Sequence, residues 1–272
     1  MKLINQKNNL FGPMSSLLII TCIAALSSAA VALGQTPIAQ WTFEVSQPAK
    51  TGTAGTPNLI TNIAAEYGSG TASGYHAGTY GTATYSTPAG NGSSHSFSAN
   101  GWTNNPGDYF QFATSTLGFT NIFITFDQVS SGTGPGQFYV AYSTDGVNFT
   151  QYGSTYTVLS SPSWSSGTMQ TAETNYVDLS SITALANQPV IYIRLVDASN
   201  VSANGGTVGT GGTCRVDNFT IVGTIAGPAQ IVKQPVSTTN YFGDNAFFTV
   251  VAGGDAPITY HCYYYTNGSA ST

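Results

Sequence analysis

The 272-residue chain carries 6 Lys and Arg against 11 Asp and Glu, a net charge of −5, and only 6% of its residues are charged, where a soluble domain usually has about a quarter. No cluster of Lys or Arg occurs anywhere, which argues against a nucleic-acid partner held through its phosphates and against an anionic membrane surface. Solubility must instead come from Gly, Ser, Thr and Asn, beside a heavy aromatic load of 16 Tyr and 14 Phe.

Lys2 and Lys7 precede an apolar run from Leu17 to Leu33, followed by the small residues Ala30-Val31-Ala32 and Ala32-Leu33-Gly34. This pattern predicts a secretory signal peptide over residues 1–34, with cleavage leaving Gln35 first. Ser27 and Ser28 interrupt the run, which disfavours a permanent anchor, and Ile20-Thr21 before Cys22 does not fit a lipoprotein signal. No second apolar run of about 18 residues follows, so no membrane insertion is expected after signal removal. The remainder holds four basic and eleven acidic residues, a net of −7, and two cysteines, Cys214 and Cys262. Two cysteines do not make a disulfide scaffold; both are expected as thiols, with a single Cys214–Cys262 bridge, which export permits, as the alternative. A secreted or cell-surface location is expected.

Short β-branched and aromatic runs then recur between Gly/Ser/Asn/Pro clusters. They cover Ile38–Val45, Ser94–Ala99, Tyr109–Ala113, Asn121–Val129, Gln137–Ser143, Thr155–Leu159, Tyr176–Leu179, Val190–Val196 and Arg215–Val222. Many short strands with turn signals predict an all-β chain whose main body, residues 35–224, is a jelly-roll-like β-sandwich. Residues 50–91, rich in Gly and Thr, read as long loops with short strands, and Leu179–Asn187 as a single helical turn at most. Asp145-Gly146 between two strand patterns predicts a hairpin turn.

Composition shifts across residues 225–228, a linker. Beyond it come Ile231-Val232-Lys233-Gln234-Pro235, Tyr241-Phe242-Gly243-Asp244, Ala246-Phe247-Phe248-Thr249-Val250 and Pro257-Ile258-Thr259-Tyr260. These residues resemble a bacterial immunoglobulin-like domain, which implies a partial immunoglobulin-like sandwich over 229–272, with Cys262 where such domains carry a Trp. A full sandwich of this type needs about 100 residues, so a truncated domain is expected.

The larger domain carries Trp41-Thr42-Phe43, Gly107-Asp108-Tyr109-Phe110-Gln111-Phe112, Phe126-Asp127-Gln128, Tyr142-Ser143-Thr144-Asp145-Gly146 and Arg215-Val216-Asp217-Asn218-Phe219. On these it resembles an N-terminal module of secreted bacterial surface proteins, as in PEP-CTERM-sorted and extracellular-nuclease-associated proteins. The resemblance implies a module accompanying other domains and no single activity.

The scarce charges give few catalytic candidates. His76, His95 and His261 lack metal-ligand spacing, and no Gly-x-Ser-x-Gly elbow occurs. Glu66, Glu173 and Asp108 are the carboxylates that a glycosidase pair would draw on, but Glu66 and Glu173 read as solvated loop residues. A non-enzymatic role is expected. Arg215, Asp217, Phe219 and Ile221 share a face by period two, which calls for a partner to Asp217. That partner is either an Arg, with Arg194 the candidate, or a structural Ca²⁺ held by Glu44 and Asp217. Loop aromatics Trp102, Trp164, Tyr75, Tyr80 and Tyr152 are candidates for a saccharide-binding platform. The expected function is an exported binding or adhesion module, with extracellular polysaccharide or cell-surface components as partners; the alternative is an accessory region of a larger secreted hydrolase or nuclease.

Overall fold

The computed structural model describes residues 35–49, 58–78, 84–103, 107–236, 239, 247–254, 264–266 and 269–271. The predicted signal peptide, Tyr80, His261 and Cys262 lie outside the described residues. The described chain is almost wholly β: β1 (Gln35–Trp41), β2 (Asn58–Ala64), β3 (Tyr67–Gly68), β4 (Thr71–His76), β5 (Tyr85–Ser86), β6 (Phe97–Ala99), β7 (Tyr109–Thr114), β8 (Phe119–Ser130), β9 (Gln137–Ser143), β10 (Thr150–Thr157), β11 (Thr174–Asp178), β12 (Ile191–Asp197) and β13 (Cys214–Ile225) in the main body. Single 3₁₀ turns occur at Thr171–Glu173 and Thr183–Leu185, the second inside the segment read as one helical turn. No helix among the described residues is long and apolar enough to cross a membrane.

Residues Thr36–Thr224 form one compact unit. One sheet has six strands in the order β10-β9-β12-β7-β4-β2, and every neighbouring pair in it is antiparallel. The other has seven strands, with β11-β8-β13-β1-β3 as its spine and β6, carrying β5, attached to β13. Period-two alternation sends Phe110 and Phe112 of β7, Phe138 and Val140 of β9, and Ile191, Ile193 and Leu195 of β12 into the shared core. They meet Trp41, Ile122, Ile124, Phe126, Phe219 and Ile221 from the opposite sheet, giving the two-layer sandwich that the strand pattern predicts.

Two local departures from the sequence reading have steric causes. Residues 50–91, read as long loops with short strands, contribute Asn58–Ala64 and Thr71–His76 as strands of seven and six residues to the six-stranded sheet. The inward positions of β4 are Ala72, Gly74 and His76 rather than large aliphatics. Tyr85 and Phe97 already fill that space: a Cβ on Gly74 would lie 2.9 Å from the Tyr85 ring and 3.1 Å from Phe97. The strand is therefore real but carries no apolar signature. On β13, Asn218 adopts φ 50°, a left-handed conformation that Asn tolerates. It resets the alternation, so Val216 and Phe219 both reach the core, and Asp217 does not share the Phe219 face as simple period two requires.

The segment Ile225–Thr272 falls in a separate unit. Its described residues form the antiparallel ladders β14 (Gln230–Lys233) with β15 (Val251–Gly253), and β16 (Tyr264–Thr266) with β17 (Ser269–Ser271).

Candidate functional site

The outward face of the six-stranded sheet gathers two rows of side chains, fixed by strand register. In one row Ser73 of β4 pairs with Gln111 of β7, Gln111 with Arg194 of β12, Arg194 with Ala141 of β9, and Ala141 with Gln151 of β10. In the adjacent row Tyr75 pairs with Tyr109, Tyr109 with Val196, and Val196 with Tyr139. One row is polar and the other largely aromatic. Arg194, Ala141 and Gln151 of the first row and Tyr75, Tyr109, Val196 and Tyr139 of the second line an open groove of about 350 Å³, with Phe149 and Gly107 beside them.

Arg194 is the centre of this face. Its guanidinium carbon lies 3.8 Å from the Tyr109 ring centroid and 3.4 Å from that of Phe149, so both of its faces are covered. Its Nε donates to Gln111 Oε1 at 2.8 Å, and the Gln111 amide in turn donates to Ser73 Oγ at 3.2 Å. Burial pushes the guanidinium pKa down, while the neighbouring Tyr109 and Tyr139 hydroxyls push it up. Tyr75 stacks on Tyr109 with centroids 5.6 Å apart and planes 22° apart.

Phe149 reaches this position because of the Asp145-Gly146 turn, which is a hairpin between β9 and β10 as the sequence predicts. Asp145 Oδ1 accepts from Val147 N at 2.9 Å and Asn148 N at 2.8 Å, and Ser143 Oγ donates to the same oxygen at 2.8 Å. The Asn148 side-chain amide, the two backbone donors and Ser143 stabilise the charged form, which holds the Asp145 carboxyl well below the usual range. Gly146 has φ 73°, and a Cβ there would meet the Tyr192 ring at 2.9 Å.

Of the four aromatic candidates that lie among the described residues, Tyr75 alone lines the groove. Trp102 is only 6% exposed; it donates to Ala99 O at 2.9 Å and packs on His76, Phe110 and Phe138 in the core. Trp164, 5% exposed, donates its ring N–H to Glu173. Tyr152 is half-buried, with its hydroxyl donating to Asp178 O at 2.7 Å. Burial and an occupied polar handle withdraw both Trp side chains from any platform. Tyr109, Tyr139, Phe149 and Gln151 were not singled out as site residues by the sequence, although the outward alternation of β7, β9 and β10 carried the signal for Tyr109, Tyr139 and Gln151, and the Asp145-Gly146 turn that for Phe149.

The charge readings also need correction. Arg194 and Asp217 lie in different sheets and do not pair: among the described residues the close contacts between basic and acidic side chains are His76–Asp108 at 3.5 Å and His95–Glu44 at 3.7 Å, imidazole–carboxyl approaches that are ion pairs only with the imidazole protonated. Asp217 instead accepts from Asn91 N at 2.9 Å, Ser93 Oγ at 2.7 Å and Asn218 N at 2.8 Å. Glu44 accepts from His95 N at 2.7 Å, so Glu44 and Asp217, the two carboxylates read as calcium ligands, both bond to the segment Asn91–His95. Among the described residues no group of three or more His, Cys, Asp or Glu is arranged to hold a metal ion. Arg215 Nη1 donates to Ala89 O at 3.2 Å and serves the same loop.

Five carboxylates, Asp108, Asp127, Glu173, Asp197 and Asp217, are at most 3% exposed. Glu173 is therefore not the solvated loop residue that its neighbourhood in sequence suggested. Burial raises the pKa of Asp108 to about 6 and those of Asp197 and Asp217 to about 7, and lowers that of His76 to about 3. Glu66, half-buried, takes hydrogen bonds from Thr42, Val45 and Ser46. Burial alone would raise its pKa; these bonds outweigh burial and lower it. Cys214 is a buried thiol pushed up to about 12 by burial. None of these groups lines the groove.

No protein-family model matches the chain, and no curated protein matches it. Several solved structures share features of the fold. TmCBM61 in complex with β-1,4-galactotriose is 10% identical, with a TM-score of 0.26 over 47% of this chain and 70% of that one. A cleaved adhesin domain of Lys-gingipain from Porphyromonas gingivalis is 14% identical, with a TM-score of 0.35 over 67% of this chain and 95% of that one. A second cleaved adhesin domain of Lys-gingipain is 17% identical, with a TM-score of 0.31 over 69% and 97%. The likeness is one of β-rich fold alone.

Proposed function

We propose that the domain spanning Thr36–Thr224 is a non-catalytic saccharide-binding module, exported to the cell surface or medium, and that the groove on its six-stranded sheet holds the ligand. The observation that carries this reading is the meeting of Tyr75, Tyr109 and Tyr139 with the Arg194 guanidinium and the Gln151 amide in one groove. Sugar rings present apolar C–H faces that settle on aromatic rings and hydroxyls that pair with such polar groups. Among the described residues no Asp, Glu, His or Cys lines the groove, so these offer no carboxylate pair, metal ligand set or thiol nucleophile for chemistry there. The buried carboxylates that exist elsewhere are enclosed by the fold and bonded to its loops.

The test is a polysaccharide screen by affinity electrophoresis with the full chain, its Tyr109→Ala variant and a Tyr152→Phe control. Retardation by at least one plant or bacterial polysaccharide, weakened about tenfold in Tyr109→Ala and unchanged in Tyr152→Phe, is expected from the loss of one stacking ring. Equal mobility of all three proteins across neutral and acidic polysaccharides removes the saccharide reading.

A further inference from the structure

Arg194 is one of six cationic residues in the whole chain, and it stands in the one groove where a ligand is expected. Its surroundings are one-sided. The ring faces of Tyr109 and Phe149 cover both sides of the guanidinium, and Gln111 takes its Nε. Its terminal nitrogens make no hydrogen bond to a described residue, and no described Asp or Glu forms an ion pair with it. Among the described residues that line the groove none is acidic. A half-buried cation normally has an anionic partner near it. Here the protein supplies stacking, orientation and a locked relay through Gln111 to Ser73, and leaves the forked edge of the guanidinium to the groove.

We propose that the groove selects a saccharide bearing carboxylate groups, a uronic-acid oligosaccharide, with one sugar carboxylate received side-on by the two terminal nitrogens of Arg194. This inference rests on the saccharide reading of the groove and names its ligand class. The guanidinium fork matches a carboxylate through two parallel N–H···O bonds, and two covering rings hold the fork at one angle. Tyr75 and Tyr139 lie on β4 and β9, three inter-strand steps apart, or about 14 Å. That span suits a short oligosaccharide rather than a single sugar. A nucleic-acid ligand, which would also stack on Tyr rings, needs several cations along its backbone, and the groove offers one. With a net charge of −5 the chain repels polyanions in general, so attraction to an acidic sugar must arise locally, at Arg194.

Calorimetric titration of the full chain separates the possibilities with three probes: a short oligogalacturonate, the same oligosaccharide with its carboxyl groups reduced to alcohols, and a sulfated galactan oligosaccharide. The expected result is that the oligogalacturonate binds about tenfold or more tighter than its reduced form and tighter than the sulfated probe. Arg194→Lys, which keeps the charge and removes the fork, is expected to abolish most of that preference. Equal affinity for the acidic and reduced probes, lost in Tyr109→Ala, overturns the inference and leaves the saccharide reading standing. Preference for the sulfated probe overturns the assignment to carboxylate. Binding of none of the probes, together with a polysaccharide screen that retards nothing, removes the saccharide reading as well. If Arg194→Lys fails to fold, as read by its circular dichroism, the comparison of acidic and reduced probes on the unmodified chain decides alone.

Discussion

Phe112 of the six-stranded sheet and Phe219 of the seven-stranded sheet lie face to face, with centroids 3.5 Å apart and planes 2° apart. Direct face-to-face stacking is not the arrangement that ring quadrupoles prefer. Trp41 compensates by presenting its ring at 66° to Phe112 and 68° to Phe219, so that edges meet faces. All three side chains are fully buried. The trio joins the two sheets at the middle of the core, and truncating either Phe opens a cavity between layers that cannot close without shifting a sheet. Phe219→Ala is expected to cost about 3–5 kcal/mol, and Phe219→Leu distinctly less. Urea unfolding followed by Trp fluorescence measures both; a loss under about 1 kcal/mol for the Ala variant contradicts the central role given to this stack.

The buried carboxylates predict an unusual pH dependence. Asp108, Asp197 and Asp217 have folded pKa values of about 6, 7 and 7, all raised by burial, above an unfolded value of about 3.9. Between those limits the folded chain binds more protons than the unfolded one, so each contributes stability that is full at low pH and is lost as pH rises toward 7. His76, lowered to about 3 by burial, acts oppositely: its contribution is full above about 6.5 and is lost as pH falls. Three groups against one give a net decline in stability from about pH 5 to pH 8. Melting temperature is expected to be higher at pH 5 than at pH 8, and a flat or rising profile across that window contradicts the burial of these groups.

Asp197 allows the same argument to be tested at one residue. Its Oδ1 accepts a long 3.4 Å bond from Ser199 N, whereas its Oδ2 is buried without a hydrogen-bond partner. Asp108 lies close enough to add repulsion. Asp197→Asn keeps the shape and the Oδ1 acceptor and removes the charge. It is expected to stabilise the protein by about 1–3 kcal/mol at pH 8 and to change little at pH 5. Denaturant titrations at the two pH values check this; equal effects at both mean that charge is not what Asp197 contributes.

The strands of the sandwich were legible because their residues alternate: Gln137–Ser143 is read from sequence with the bounds it has in the fold. Strand β4 was not, because its inward side is filled from elsewhere by Tyr85 and Phe97. The groove was harder still. Its rows depend on the register of five strands distant in sequence, and no single segment records that Ser73, Gln111, Arg194 and Gln151 fall in line. Trp102 and Trp164 misled for a related reason. A Trp in a Gly-rich stretch reads as exposed until the tertiary fold closes over it, and Trp102 closes over by packing on His76.

The loop over residues 87–96 offers a test of how scarce charges are used. Asp217 holds its middle through Asn91 and Ser93, Arg215 holds Ala89, and Glu44 holds His95. Gly90 sits so close to these anchors that a Cβ there would lie 2.1 Å from His95 O and 2.2 Å from Asp217 Oδ2. Ser93→Ala removes one hydrogen bond to the buried carboxylate and is expected to cost about 1–3 kcal/mol. Gly90→Ala cannot be accommodated without breaking the Asp217 contacts, so the loop should detach. Hydrogen exchange reads the difference: rapid exchange of the Asn91 and His95 amides in Gly90→Ala, with the core strands β7 and β12 still protected, is expected. Unchanged protection of both loop amides contradicts the clamp that Asp217 and Glu44 form on it.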